Sequence, residues 1–166
     1  QLEEAVKCFE KALAIKPDFA DAHYNLGLAL QGLGQLDAAV KSNQLDAAVK
    51  CYEKALAINP DFAEAHNNLG IALKELGQLD AAVKCYQQAL AIKPDYAEAH
   101  NNLGNAFKEL DQLDAAVKYY EKTLAIKPDY PEAHNNLGLT LVELGQLDYA
   151  IKHYEKAIAI KADYTS

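Results

Sequence analysis

Gln44-Leu-Asp-Ala-Ala-Val-Lys50 is the stretch that decides the fold, because the chain repeats it at a fixed interval. The same seven residues begin again at Gln78 and Gln112, and a close copy begins at Gln146, so successive starts lie 34 residues apart. A repeat of this length is typical of solenoids built from small structural units.

One interval in this series is longer than the others. A close copy of the phrase begins at Gln1, and the step from Gln1 to Gln44 is 43 residues. The nine additional residues, 35–43, begin with the same phrase and place it ahead of the regular copy. We interpret residues 35–43 as a duplication inside one repeat.

Each repeat is predicted to contain two helices, which we name helix A and helix B. In residues 96–129, apolar residues recur at helical spacing over 97–110 and again over 113–126. Asp111-Gln112 separates the two helices where other units have a glycine suited to a left-handed helix end. Pro128 ends helix B because proline cannot donate the next helical hydrogen bond. The residues expected to face inward are Ala99, Leu103, Ala106, Phe107 and Leu110 in helix A, and Leu113, Ala116, Val117, Tyr120 and Leu124 in helix B.

Small residues recur at equivalent positions on both helices. A glycine inside a helix costs up to about 1 kcal/mol, so its repetition indicates that helices A and B approach closely. The positions are Gly27, Gly70, Gly104 and Gly138 on helix A, and Ala48, Ala82, Ala116 and Ala150 on helix B.

Composition argues against several classes of function. The 166 residues are 51% hydrophobic and carry a net charge of −8, with 24 acidic residues against 16 basic ones, all of them lysine. Without arginine or a basic stripe, nucleic acid is a poor candidate partner. No apolar run approaches the roughly 20 residues of a membrane span. The side chains that catalyse reactions occur here in several equivalent copies, so we expect no enzyme activity, no cofactor and no metal site.

The cysteines and the missing methionine give two smaller expectations. Cys8, Cys51 and Cys85 occupy one equivalent position in successive units, and we expect them to be reduced thiols that pack on a helix face. Because the chain contains no methionine, we expect it to be part of a longer or processed protein. Nothing names the compartment, although the cytoplasm is slightly favoured.

The pattern within each unit resembles the tetratricopeptide repeat, or TPR. Asn102-Leu103-Gly104, Phe107, Ala116, Tyr120 and Pro128 carry the resemblance, and equivalent residues recur in the other units. The resemblance implies an all-α fold, an α-solenoid in which antiparallel helix pairs form a right-handed superhelix. About nine helices are expected, from Leu2 to near Ile160. Where the family usually has an aromatic residue near the start of helix A, this chain has His23, His66, His100 and His134, which we expect to pack or line the groove.

The resemblance covers about four and a half repeats in a single array over residues 1–166. Residues 1–18 are helix B of a partial repeat, and residues 19–61 are a repeat that contains the duplication at 35–43. Full repeats follow at 62–95, 96–129 and 130–163, and residues 164–166 form a tail. Neither end has the polar cap that a soluble solenoid normally needs.

The resemblance also implies that the A helices line a concave groove that binds a partner. Asparagine offers donors and an acceptor to the backbone of an extended peptide, and the long arrays on O-linked N-acetylglucosamine transferase are similar in carrying an asparagine ladder. Alternatively, the ladder only joins neighbouring repeats. Acidic residues at Asp21, Glu64, Glu98 and Glu132 favour a neutral or basic protein or peptide. The expected peptide-binding residues are Asn25, Asn68, Asn102 and Asn136, with Asn67, Asn101 and Asn135 beside them.

The duplication leads to a separate expectation. Nine residues advance a helix by about 900°, so the two copies of the phrase would face opposite sides of one continuous helix. Because Ser42 and Asn43 are good N-caps, we predict that the second copy forms the regular helix B and the first forms a bulge or short helix. Alternatively, a second molecule covers Leu36, Ala39 and Val40, giving head-to-tail association.

Three functions are consistent with these patterns. The first is a protein–protein interaction scaffold that binds an extended peptide in its groove. The second is a self-assembling structural solenoid that forms head-to-tail oligomers or filaments. The third is the targeting arm of a larger enzyme.

Overall fold

The computed structural model describes residues 1–36 and 41–163. These residues form nine α-helices and no strands. The helices are α1 (Leu2–Ile15), α2 (Ala20–Leu36), α3 (Lys41–Ile58), α4 (Ala63–Glu75), α5 (Leu79–Ile92), α6 (Ala97–Glu109), α7 (Leu113–Ile126), α8 (Pro131–Glu143) and α9 (Leu147–Asp163).

The helices pair in chain order within two compact units, Gln1–Ile92 and Lys93–Ser166. In the first unit α2 pairs with α3 and α4 pairs with α5, while α1 packs on α2 and α3 packs on α4. In the second unit α6 pairs with α7 and α8 pairs with α9, and α7 packs on α8. The predicted all-α solenoid is confirmed, with α2, α4, α6 and α8 as A helices and the others as B helices.

The glycine that recurs on each A helix, at Gly27, Gly70, Gly104 and Gly138, makes room for an aromatic ring of helix B. A Cβ atom built on Gly104 would lie 2.7 Å from Cε1 of Tyr120, and one built on Gly70 would lie 2.6 Å from Cε1 of Tyr86. No side chain tolerates such a distance, so glycine is required where the ring crosses helix A. The close approach predicted from the sequence is therefore a contact between glycine and tyrosine.

The tyrosine lies at the centre of each helix pair. Tyr52, Tyr86 and Tyr120 are all fully buried, and alanines one turn away on the same B helices are buried with them. In the second unit, Leu137 and Leu141 of α8 join Tyr120 in one apolar cluster, on which Val117 and Leu124 pack. Helix A of one repeat thus covers helix B of the repeat before it.

The turns between A and B helices use the left-handed backbone conformation. Gly77 has a φ of 77° and Gly145 a φ of 74°, as expected for glycine at a helix end. Asp111 adopts the same conformation with a φ of 59°, although it has a side chain. The B helices of the other units are followed by a proline, and Ala162 replaces that proline after α9. Helix α9 continues to Asp163, beyond the predicted end near Ile160.

The duplicated segment lengthens one helix pair on both sides of its turn. Helix α2 has 17 residues where α4 has 13, and α3 has 18 residues where α5 has 14. The duplication therefore adds about one helical turn, four residues, to each helix of this pair. Residues 37–40 lie outside the described part of the chain.

The second copy of the phrase forms the regular part of helix B, as predicted. Leu45, Ala48, Tyr52 and Ala55 are buried on α3. The predicted cap at Ser42 and Asn43 is wrong, because α3 already begins at Lys41. The added turn of α3 is held by an ion pair of 3.0 Å between Lys41 Nζ and Glu75 Oε2 at the end of α4.

Gly34 has a different role from its equivalent Gly77. It continues α2 without a positive φ, so the local signal for a helix end is overridden. A Cβ on Gly34 would lie 3.2 Å from Cβ of Gln44 and 3.3 Å from the carbonyl oxygen of Lys41. The glycine allows the added turns of α2 and α3 to approach each other closely.

Candidate peptide-binding face

The A helices carry the residues predicted to bind a peptide. On each A helix, the ladder asparagine and the residue three positions later lie one turn apart on the same side. We call these residues the asparagine face of the unit to which they belong, and all of them are half-buried or exposed. They are Asn25, Leu28, Asn68 and Ile71 in the first unit, and Asn102, Asn105, Asn136 and Leu139 in the second.

In the first unit, Asn68 is fixed by the preceding A helix. Its Nδ2 donates a hydrogen bond of 2.9 Å to the hydroxyl oxygen of Tyr24. Its Oδ1 accepts a bond of 3.2 Å from Nδ2 of Asn67. The Tyr24 ring is itself held against Phe62, with ring centroids 4.7 Å apart. These contacts hold the Asn68 amide in one orientation.

In the second unit, Asn136 is fixed in a similar way by α6. Its Nδ2 donates to Oδ1 of Asn105 at 3.0 Å and to Oδ1 of Asn101 at 3.4 Å. Asn105 also accepts a bond of 2.7 Å from the hydroxyl of the fully buried Tyr120. Four side chains from three helices therefore share one hydrogen-bond network.

Asn105 was missed by the sequence analysis. Its equivalents in the other repeats are Leu28, Ile71 and Leu139, so a single asparagine interrupts an apolar column. The substitution of asparagine for an apolar residue was visible in the sequence. Its role could not be predicted, because it depends on a hydrogen bond from the hydroxyl of Tyr120 on α7.

The second group of predicted binding residues needs correction. Asn67 and Asn101 are buried, with 3% and 6% of their surface exposed, and do not line an open wall. For Asn101 the reason is that the next A helix, α8, covers this position, since Asn136 bonds to Asn101. Asn135, the equivalent residue on α8, is exposed. Asn67 and Asn101 therefore form hydrogen bonds to the ladder residues Asn68 and Asn136 and are not themselves open to a peptide.

Ion pairs and the pKa shifts of two tyrosines show how charge is distributed on and near the A helices. Glu98 lies 3.7 Å from Nζ of Lys127, and Lys108 lies 3.0 Å from Glu143, so some of the predicted acidic residues are paired. Burial and then the negative charge of Glu64 raise the pKa of Tyr24. Burial and the charges of Glu98 and Glu132 likewise raise the pKa of Tyr130. Carboxylates therefore lie close enough to both tyrosine hydroxyls to disfavour their ionisation, although Lys127 Nζ also lies 4.6 Å from the centroid of the Tyr130 ring.

The four histidines share one structural contact. In each case Nε2 donates to the carbonyl oxygen of the proline six residues earlier, at 2.8 Å for His23 and His100 and 3.0 Å for His66 and His134. This bond ties the start of helix A to the end of the preceding helix B. The predicted packing role is therefore accurate, and the bond leaves Nδ1 of each neutral ring as an acceptor.

Helix B places different residues opposite these histidines. The Tyr119 ring stacks near His100 with centroids 6.0 Å apart, and near Phe107 at 5.4 Å. Nδ1 of His153 lies 2.9 Å from Nδ1 of His134. The sequence analysis missed this pair, since His153 stands at the position that earlier repeats fill with cysteine.

The cysteines are free thiols, as expected. Burial raises the pKa of Cys51, and burial raises that of Cys85 to about 11. A thiol with a raised pKa is a weak nucleophile at neutral pH, so these environments do not activate the sulfur. Among the residues that the structure describes, no three His, Cys, Asp or Glu side chains are grouped to hold a metal ion.

Two further predictions concern self-association and membrane insertion. The side chain of Leu36 and the residues Ala39 and Val40 lie outside the described part of the chain, so the predicted self-association segment stays a prediction. Within residues 1–36 and 41–163, no helix combines the length and the apolar character needed to cross a membrane.

Comparison with known families covers almost the whole chain. The profile of the TPR repeat matches residues 1–34, 37–77, 72–111 and 104–145. The profile of the tetratricopeptide repeat matches residues 131–164. No curated protein sequence matches the chain.

Several solved structures are similar over nearly the full length of this chain. The structure of MamA has a TM-score of 0.86 and 26% identity, covering 99% of this chain and 91% of that one. PilF from Pseudomonas aeruginosa has a TM-score of 0.83 and 25% identity, covering 95% of this chain and 68% of that one. YrrB, described as a TPR protein with an unusual peptide-binding site, has a TM-score of 0.73 and 25% identity, covering 99% and 80%.

Proposed function

This chain belongs to the tetratricopeptide repeat family, and we propose that it is an interaction scaffold that binds an extended peptide on its asparagine face. The observation that carries the proposal is that the side chains of Asn68 and Asn136 are fixed in orientation while remaining partly exposed. Both side chains are half-buried, and both are held in place by hydrogen bonds to the preceding A helix. A fixed amide binds a peptide with little loss of side-chain entropy.

These asparagines keep part of their hydrogen-bonding capacity. Asn68 uses one of its two amide hydrogens on Tyr24, which leaves one donor for a peptide carbonyl. Asn136 donates to both Asn105 and Asn101, and its Oδ1 is left to accept from a peptide N–H. Joining neighbouring repeats and binding a peptide are therefore compatible roles of the ladder.

The surroundings favour a neutral or basic segment with apolar side chains. Leu28 and Leu139 are 39% and 42% exposed beside the ladder, so they offer apolar contact. The carboxylates of Glu64 near Tyr24, and of Glu98 and Glu132 near Tyr130, disfavour an acidic peptide. YrrB, which has the same fold, is described as having a peptide-binding site, and this analogy adds support.

An immobilised array of acidic, neutral and basic peptides tests the proposal. We expect the purified chain to retain neutral or basic sequences and to ignore acidic ones. Changing Asn68→Ala together with Asn102→Ala should weaken retention at least tenfold, which corresponds to about 1.4 kcal/mol. Gln87→Ala, an exposed change on α5, is the matched control. Equal binding by the double variant and the control would overturn the role of the ladder.

A second candidate function, self-assembly, is favoured by one observation on α9. Leu147, Ile151 and Ile158 are 57%, 54% and 69% exposed, and they lie on one side of the helix. They repeat the positions of Leu113, Val117 and Leu124, which are half-buried on α7. A second copy of the chain that covers this stripe would produce oligomers.

Light scattering over a range of concentrations tests self-assembly. We expect mass to increase with concentration, and Ile151→Lys with Ile158→Lys to return the protein to a monomer. Ala159→Lys adds the same charge on the solvent side of α9 and should leave assembly intact. A monomer at every concentration would exclude this candidate and leave the peptide-binding proposal untouched.

A further inference from the structure

A cleft on the first unit lies away from the asparagine face. It has a volume of about 530 Å³ and is formed by α1, α2 and α3. The residues that line it include His23, Leu26 and Cys51, together with the apolar Leu13 and Ile58. A cleft of this size holds a ring or a small group of atoms.

The cleft and the asparagine face use opposite sides of α2. His23 and Leu26 line the cleft, whereas Asn25 and Leu28 belong to the asparagine face. Residues two positions apart on a helix point about 200° apart. A ligand in the cleft would therefore not compete with a peptide on the asparagine face.

The second unit shows what fills the equivalent space. Cys51 corresponds to Tyr119, and His23 corresponds to His100. The Tyr119 ring lies against His100, at an interplanar angle of 28°. A cysteine at this position is too small to cover the histidine, so the cleft in the first unit stays open where an aromatic ring would fit.

The last repeat shows what the histidine offers to a ligand. His23 donates from Nε2 to the carbonyl oxygen of Pro17, so Nδ1 of the neutral ring is an acceptor. At the equivalent position His134 makes the same bond to Pro128, and its Nδ1 lies 2.9 Å from Nδ1 of His153. A group that carries an N–H or O–H can therefore reach this nitrogen from the position of Cys51.

The charges around the cleft add a preference for a cation. Glu10 and Asp18 supply two carboxylates at its edge, and Lys54 supplies one ammonium group. The Cys51 thiol is neutral at neutral pH, because burial raises its pKa. An uncharged floor with a net negative edge suits a ring that carries a positive charge nearby.

We propose that this cleft is a docking site for an aromatic side chain with a hydrogen-bond donor, presented by a partner protein next to a basic residue. The ring would lie beside His23 as the His153 ring lies beside His134, with ring centroids 5.2 Å apart. Its O–H or N–H would donate to Nδ1 of His23. The neighbouring basic residue would face Glu10 and Asp18.

Tyramine, which combines a phenol with an ammonium group, is a direct probe of the site. Cys8→Ser with Cys85→Ser leaves Cys51 as the only thiol, and its alkylation by iodoacetamide reports whether the cleft is filled. We expect tyramine to slow alkylation in a saturable way, and phenethylamine, which lacks the hydroxyl, to bind about fivefold more weakly, as expected for one hydrogen bond. Cys8, which is exposed, should react at an unchanged rate when it is the only thiol.

A pair of variants at one position separates filling of the cleft from other effects. Cys51→Ser keeps the space, so tyramine should still bind when saturation-transfer NMR is used to detect it. Cys51→Tyr fills the space as Tyr119 does, so binding should be lost. Equal binding by both variants, or no saturable protection of Cys51, would overturn the proposal.

A short peptide then tests whether the occupant is a protein side chain. Acetyl-Lys-Tyr-Lys-amide should protect Cys51 at least as well as tyramine, and acetyl-Glu-Tyr-Glu-amide should protect it less. Protection by tyramine without protection by the lysine peptide would reject docking of a protein partner. Because the cleft is separate from the asparagine face, these results do not depend on the proposed peptide-binding function.

Discussion

Nδ1 of His153 lies 2.9 Å from Nδ1 of His134, and a hydrogen bond between them requires that one nitrogen donates and the other accepts. His134 already donates from Nε2 to the carbonyl oxygen of Pro128, so its Nδ1 is the acceptor. His153 is therefore protonated on Nδ1. A second proton on Nδ1 of His134 would point at the first, and this hydrogen bond between α8 and α9 would be lost.

Stability should consequently depend on pH. Burial lowers the pKa of His134 and of His153 from the ordinary value of 6.5, and nearby positive charge lowers that of His153 further. In the unfolded chain these histidines bind protons near pH 6.5, whereas in the folded chain they bind protons only at lower pH. The stabilising contribution is therefore complete above that pH and is lost as the pH falls through the lowered values. We expect the melting temperature to fall by a few degrees between neutral pH and the acid side of this window.

His153→Tyr is the variant that checks this pH dependence. It places at position 153 the residue that the preceding repeat has at Tyr119. We expect a smaller fall of the melting temperature on acidification than in the parent protein. An unchanged slope would show that the histidine pair is not the cause.

Gly104→Ala should destabilise the protein although alanine is the better helix former. The new Cβ would lie 2.7 Å from Cε1 of Tyr120. Overpacking of this kind costs about 1–3 kcal/mol, more than the gain in helix propensity of about 1 kcal/mol. Gly32→Ala is the control, because the nearest atom to its Cβ belongs to the flexible side chain of Leu2 at 3.2 Å. Urea unfolding should show a loss for the first variant and little change or a gain for the second.

Asp111→Gly should stabilise the second unit. Asp111 has a φ of 59°, a conformation that is unfavourable for a residue with a side chain. Glycine adopts it without strain, and we expect a gain of about 0.5–1 kcal/mol after its larger unfolded-state entropy is counted. The reverse change, Gly145→Asp, should lower stability by a similar amount. A loss of stability in Asp111→Gly would mean that the aspartate side chain has a further role.

Asn105→Leu should destabilise the protein, although leucine is the residue of two equivalent positions. The variant removes the acceptor of the Tyr120 hydroxyl and of Asn136 Nδ2. An unpaired buried hydroxyl costs about 1–3 kcal/mol. Tyr120→Phe removes the hydroxyl, so Asn105→Leu should cost less in that background. If the two changes add without interaction in thermal unfolding, the network does not stabilise the fold.

Deletion of residues 35–43 should leave a folded protein. The deletion joins Gly34 to Gln44 and restores the spacing of 34 residues found elsewhere. Gly34 would then occupy the position of Gly77 and should adopt a positive φ. The ion pair of Lys41 and Glu75 would be lost, and such a pair at the surface contributes at most about 1 kcal/mol. Circular dichroism should show cooperative melting close to that of the parent, whereas an unfolded product would refute this prediction.

The helices could be predicted from the sequence because period, proline and glycine all mark the same boundaries. Helix α7 begins and ends at the predicted residues, α1 begins at Leu2 as predicted, and α6 ends one residue earlier than predicted. The end of α2 could not be predicted in this way. Gly34 and Gln35 repeat the turn signal of Gly77 and Gln78, and the contact of two lengthened helices overrides that signal.

The candidate site was predicted less completely than the fold. Which residues occupy the A helices follows from the period, but burial of Asn67 and Asn101 depends on the neighbouring A helix. The pairing of His134 with His153 also joins two helices. A pattern of single residues does not specify contacts of this kind.

The division of the duplicated residues between α2 and α3 also bears on how such proteins acquire new shapes. The copying slip that added nine residues has lengthened both α2 and α3, each by about one turn. The contact between Gly27 and Tyr52 in the lengthened pair matches that between Gly70 and Tyr86 in the regular pair. The insertion therefore requires no compensating substitution at this contact. The length of the helices in a single repeat can therefore change while the other repeats keep theirs.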